Sequence, residues 1–168
     1  MKNFASVMAL AFTLLIVIKT PSQAHRHKKM VAVGDLLITK IWARTTPKTA
    51  KTGAAFLMIK HNGETDDTLI GVSRKLVKKT ELHQSSMKKG IMKMRYVGKV
   101  SVPAGNIAVL KPGSFHIMFM GLYNPINKGD EFPLTLIFKK SGTLKIMVKA
   151  QKLMGKGAMD HSKMKKAE

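Results

Sequence analysis

The sequence predicts an all-β sandwich or barrel. Three observations carry this. Short apolar runs recur along the chain, cut at regular intervals by Gly, Pro, Asn and Asp. Several runs alternate in character with a period of two, the signature of a strand with one face buried. Beyond residue 24 no stretch sustains a helical period.

The elements follow in order. Leu37, Thr39 and Ile41 alternate with Ile38, Lys40 and Trp42, and the run from Ala54 to Lys60 is apolar and strand-like. Asn62-Gly63 opens a polar turn that ends near Asp67, and Thr68–Val72 reads as the next strand. Lys79–Gln84 and Ile91–Val97 are two more, parted by the turn signal Lys89-Gly90. Pro103-Ala104-Gly105-Asn106 turns the chain into Ile107–Leu110, and Lys111-Pro112-Gly113 turns it into Phe115–Met120. Asn124-Pro125 and Lys128-Gly129-Asp130 precede Leu134–Phe138, and Ser141-Gly142 leads into Thr143–Val148. The expectation is eight or nine short strands in one domain spanning 35–149, with no internal repeat. At 168 residues and 45% apolar, the chain is large enough to bury a real core.

The flanks differ. Lys2, an apolar run from Phe4 to Ile18, and small Ser22 and Ala24 compose the three parts of a secretory signal peptide over 1–24. The run is short for a bilayer span, which takes about 20 residues. Residues 25–34 are a polar, basic lead-in, and 150–168 a His-, Met- and Lys-rich flexible tail. The reading is an exported, periplasmic protein with no stable membrane insertion once the leader is removed. With no Cys, a lipid-bearing N-terminal Cys, disulfides and thiolate ligands are all excluded.

The formal charge is +21. Such a balance speaks to partners, not fold. Lys outweighs Arg and no aromatic-studded basic stripe appears, which argues against nucleic acid. A solvated Lys-rich surface and docking to an acidic protein surface both fit. No Ser-His-Asp order, paired carboxylates or phosphate-cradling Gly loop supports an enzyme.

Methionine is abundant, at 13 residues. His116 and Met118 lie two apart on one expected strand, which puts them on one face. Met120 follows on that face, Met92 and Met94 share a face of another strand, and His83 nears the end of a third. Two thioethers with two imidazoles suit Cu(I), whereas Mg²⁺ and Ca²⁺ want oxygen and zinc seldom takes Met. A blue-copper electron-transfer site needs a Cys thiolate. On spacing alone, Met at alternate strand positions reads first as core filling, and a lone His as structural or exposed.

The spacing has a further property. Ten residues separate His83 from Met94, twenty-one separate Met94 from His116, and one separates His116 from Met118. All three gaps match the His-x10-Met-x21-His-x-Met pattern, and the sequence resembles the periplasmic PCuAC copper chaperones. Ile41-Trp42-Ala43-Arg44, Lys51-Thr52-Gly53-Ala54-Ala55-Phe56, Glu81-Leu82-His83, Gly90-Ile91-Met92-Lys93-Met94-Arg95, Val102-Pro103-Ala104-Gly105, Leu110-Lys111-Pro112-Gly113 and His116-Ile117-Met118-Phe119-Met120-Gly121-Leu122 are similar to that family too. Gln84-Ser85-Ser86 departs from it, where acidic or Met residues are expected. Met87 and Met92 are read as accessory or structural.

The resemblance covers about Gly34–Val148. It implies a cupredoxin-like β-sandwich or barrel that binds Cu(I) through His83, Met94, His116 and Met118. It also implies delivery to an acceptor, the cytochrome c oxidase subunit bearing the binuclear copper site or another copper chaperone. The alternative is an exported basic binding or adhesion module with no metal-transfer role. Secondary metal positions are His25 and His27, which follow a cut after Ala24 and could wrap Cu(II) with the free amine, and Met154, Met159, His161 and Met164 in the tail. His61 is assigned no role, and Trp42 is read as core.

Overall fold

The computed structural model describes residues 30–152, apart from Leu76 and Lys89. The described chain is all-β. Its strands are β1 (Val31–Val33), β2 (Leu36–Arg44), β3 (Thr52–His61), β4 (Asp67–Ser73), β5 (Val77–Lys88), β6 (Ile91–Tyr96), β7 (Val100–Val102), β8 (Ile107–Leu110), β9 (Phe115–Leu122), β10 (Glu131–Phe138) and β11 (Gly142–Gln151). Every segment named above as a strand is one, against an expectation of eight or nine. The sequence reading misses β1, placed in the lead-in, and β7, because three residues are too few to display a period.

The strands run in the order β6-β5-β9-β3-β2-β11-β10-β4-β7, with β1 added to β2 and β8 to β3. Every pairing is antiparallel except β11 with β2. The far end of the sheet folds back, so that β4 approaches β5, and β7 approaches β3 and β8. This wraps the sheet around one core, and among the described residues β6 pairs with β5 alone.

The core is built by alternation. In β10 the side chains of Phe132, Leu134, Leu136 and Phe138 are buried, and in β11 those of Ile146, Val148 and Ala150. β2 breaks the rule for a local reason. Leu36 and Ile38 are buried on even numbers, but past a register shift between Thr39 and Trp42 the buried residue is Ala43. Lys40 sits at the shift with φ 49°, a left-handed conformation that turns the following residues to the other face.

β9 is the strand that positions the candidate site. Ile117 and Phe119 are fully buried between β5 and β3. Each such side chain contributes about 1.5–3 kcal/mol of burial. Fixing the odd positions inward commits the even ones, His116, Met118 and Met120, to the opposite face.

Candidate metal centre

His83 and His116 stand directly opposite each other across the β5–β9 ladder. Their ring centroids are 6.0 Å apart, with planes inclined by 45°. Met118 is one step along the same face of β9, opposite Glu81 of β5 and Ala54 of β3. Met94 belongs to β6 and pairs with Ser85, one step along from His83 on its own face. The parity of three adjacent strands therefore gathers four separated residues on one side of the sheet. His116, Met118 and Met94 line one cleft of about 350 Å³ together with Arg44 and the loop from Thr45 to Pro47. His83 is not part of that lining; it lies beside His116 and is covered by Tyr96, 6.1 Å away edge to face.

Each imidazole is held by one nitrogen. His116 Nδ1 is 3.0 Å from the Ser114 carbonyl oxygen. A carbonyl can only accept, so Nδ1 carries a proton, and in the neutral ring Nε2 keeps its lone pair. His83 is held the other way round, with Nε2 2.9 Å from Glu81 Oε2. In the neutral ring Nε2 donates to the carboxylate, leaving the Nδ1 lone pair, and Nδ1 is buried without a hydrogen-bond partner. A buried unpaired nitrogen is costly unless something binds it. The Glu81 carboxyl is held below the usual carboxylate range, first by its bond to Lys79 and then by the bond to His83.

Behind His116 the ring of Phe56 lies 6.5 Å away, and Trp42 stacks on Phe56 at 4.5 Å. Trp42 is only half-buried. Instead of filling the core, it backs the wall on which His116 rests. His61 is buried, and its Nδ1 accepts the Gly63 amide at 3.0 Å, closing the turn after β3.

The donor atoms fit a soft, monovalent ion. Two imidazole nitrogens and two neutral thioethers suit Cu(I). Among the described residues no three His, Cys, Asp or Glu side chains gather as a metal-holding group, so a hard cation finds no oxygen cage here. A carboxylate that orients a ligating imidazole through its other nitrogen is the arrangement that fixes ring and tautomer in metal sites.

Sequence reading does not assign Glu81, Arg44 or the Ser114 carbonyl to the site. Glu81 was findable, because it lies two residues before His83 and shares its face. The other two arrive through loop and strand geometry that spacing does not encode. His25, His27, Met154, Met159, His161 and Met164 lie outside the described residues.

Comparisons with known proteins agree with this architecture. Residues 36–150 match the family described as "Putative lipoprotein LpqE-like". The chain is 30% identical over 121 residues to "Putative lipoprotein Lxx21020" of Leifsonia xyli subsp. xyli, covering 70% of each. It is 35% identical over 105 residues to "Uncharacterized protein RP573" of Rickettsia prowazekii, covering 58% of this chain and 56% of that one. Among solved structures, the copper-bound PCuAC domain from PmoF2 superposes with a TM-score of 0.64 at 18% identity, covering 74% of this chain and 98% of that domain. The Cu(I) form of DR1885 from Deinococcus radiodurans superposes with a TM-score of 0.58 at 21% identity, covering 75% and 83%. The sequence match and the shared fold together place the chain: it belongs to the LpqE-like family and has the cupredoxin-like fold of PCuAC domains.

Proposed function

We propose that this protein is an exported copper carrier that holds Cu(I) through His83 Nδ1, Met94, His116 Nε2 and Met118. The observation that carries the reading is the cross-strand pair His83 and His116, with one lone-pair nitrogen left on each ring and two thioethers one step away on the same face. The match to the pattern of the PCuAC chaperones and the copper-bound relatives of the same fold support it.

Cu(I) is the cargo, and its donors suit release as well as capture. No thiolate holds the ion, so an acceptor with thiolate ligands wins it by softness alone. Met94 stands on an edge strand and is exposed, so a partner can reach the ion from that side. The reading extends to an oxidase subunit with a binuclear copper site, or another copper chaperone, as the acceptor. Export through a cleaved leader over residues 1–24 belongs to the same reading. The family description speaks of lipoproteins, but this sequence has no cysteine to carry a lipid.

The test is an anaerobic Cu(I) competition titration with a chromophoric chelator on the full chain, beside a His83→Ala/His116→Ala variant. The expected result is tight binding lost in the variant. Equal binding in both proteins moves the copper away from this centre, and absence of binding in both leaves the basic surface as the functional feature.

A further inference from the structure

The hairpin of β5 and β6 leaves several large apolar side chains unburied. Met87 is 64% exposed, Met92 51% and Met94 58%, so none of the three serves as core. Met87 and Met92 are direct cross-strand partners, which sets their Cβ atoms about 4.5–5.5 Å apart. Met94 is two residues from Met92 on the same face, about 6–7 Å along the strand. Among the described residues, parity also keeps the charges of the hairpin tip off this face, the nearest ones on it being Glu81 and Lys79, beyond His83. Gln84, Ser86 and Lys88 of β5 pair with Arg95, Lys93 and Ile91 of β6, and these alternate positions belong to the other face. Arg95 is tied down there by a 2.7 Å bond to Gln84. Met92 and Met94 line a cleft of about 270 Å³ that reaches His116.

From this geometry we infer a second, outer Cu(I) site made by the thioethers of Met87 and Met92, with Met94 standing between it and the inner centre. A cluster of neutral thioethers, with the Ser85 hydroxyl as the one side-chain oxygen beside it among the described residues, selects a soft monovalent ion. It lacks the two imidazoles, so it holds the ion more weakly and fills second. An ion arriving at the hairpin tip has Met94 as a ligand common to both positions. The inner centre is the one proposed above, and the order of filling rests on that reading, whereas the outer site does not.

The test is a titration of the full chain with Ag(I), a redox-stable stand-in for Cu(I), followed by NMR of methionine ¹³C-methyl groups. The first equivalent is expected to shift Met94 and Met118, and the second Met87 and Met92. In a Met87→Leu/Met92→Leu variant, the first-equivalent shifts of Met94 and Met118 persist. Met94 is then unperturbed by the second equivalent. Met87 and Met92 methyls that stay fixed through the whole titration, whichever tail methionines move, overturn the outer site. A first equivalent that leaves Met94 and Met118 unmoved while Met87 and Met92 shift upholds the outer site and removes the inner reading.

Discussion

Glu81 accepts a hydrogen bond from His83 Nε2 at 2.9 Å, and its other carboxylate oxygen engages Lys79. The glutamate is thus held from both sides and in turn fixes which nitrogen of the neutral His83 ring carries a free lone pair. Glu81→Ala is expected to weaken Cu(I) binding by about 10–100-fold, the usual cost of losing an orienting partner. Glu81→Gln keeps an acceptor oxygen and falls between. Chelator competition measures both, and an alanine variant with unchanged affinity removes Glu81 from the site.

Met118 separates packing from ligation. Leucine has nearly the same volume, and such swaps cost less than about 1.5 kcal/mol. Met118→Leu is therefore expected to unfold near the wild-type midpoint yet bind Cu(I) at least about tenfold more weakly, or ~1.4 kcal/mol. Thermal unfolding and competition titration on the same sample check the pair. Loss of stability without loss of affinity would make Met118 a packing residue.

Asp67 staples the start of β4 to the β10–β11 turn. Burial alone raises its pKa, but hydrogen bonds from the Ser141 hydroxyl and the amides of Lys140, Thr68 and Ser141 outweigh that and lower it from 3.8 to about 2. A depressed carboxyl stabilises the folded state above its unfolded value. That contribution disappears as pH falls through the folded value near 2. It amounts to about 2 kcal/mol at neutral pH. Asp67→Asn is expected to lose about that much at pH 7 in urea, and the gap to wild type should close between pH 4 and about 2. A gap that stays constant over that range would refute the assignment.

Lys40, at φ 49°, occupies a conformation that costs an L-residue roughly 1–2 kcal/mol. Lys40→Gly is expected to leave stability unchanged or raise it slightly. Lys40→Val, β-branched and poorly tolerated there, should cost about 1–2 kcal/mol. Denaturant midpoints decide it, and equal midpoints for the two variants would mean the bulge relaxes.

The strands were legible where one face is buried and the other wet, as in β10, read as a strand from Leu134 to Phe138 though it begins at Glu131. They were illegible where the backbone acts without a side-chain pattern. Val31–Val33 and Val100–Val102 pair by register alone, and the parity change at Lys40 leaves no trace in composition. At the candidate site, the i, i+2 spacing of His116 and Met118 states their shared face. That His83 falls opposite His116 depends on the β5–β9 register, which no local spacing records. The tautomers depend on Ser114 and Glu81, one a carbonyl invisible to residue type, the other a neighbour two positions away.

Among the described residues the strand bearing Met94 has a ladder on one side only, whereas His116 and Met118 ride on β9, clasped by β5 and β3. Peeling β6 from its single neighbour would free one sulfur and leave the rest of the fold standing. Backbone amides there should exchange with solvent by local fraying, far faster than those of β9, which wait for global opening. The grip on a bound ion and the grip on the fold are thereby decoupled: mutation or partner contact at one rim can retune how long the ion stays without touching what keeps the molecule folded.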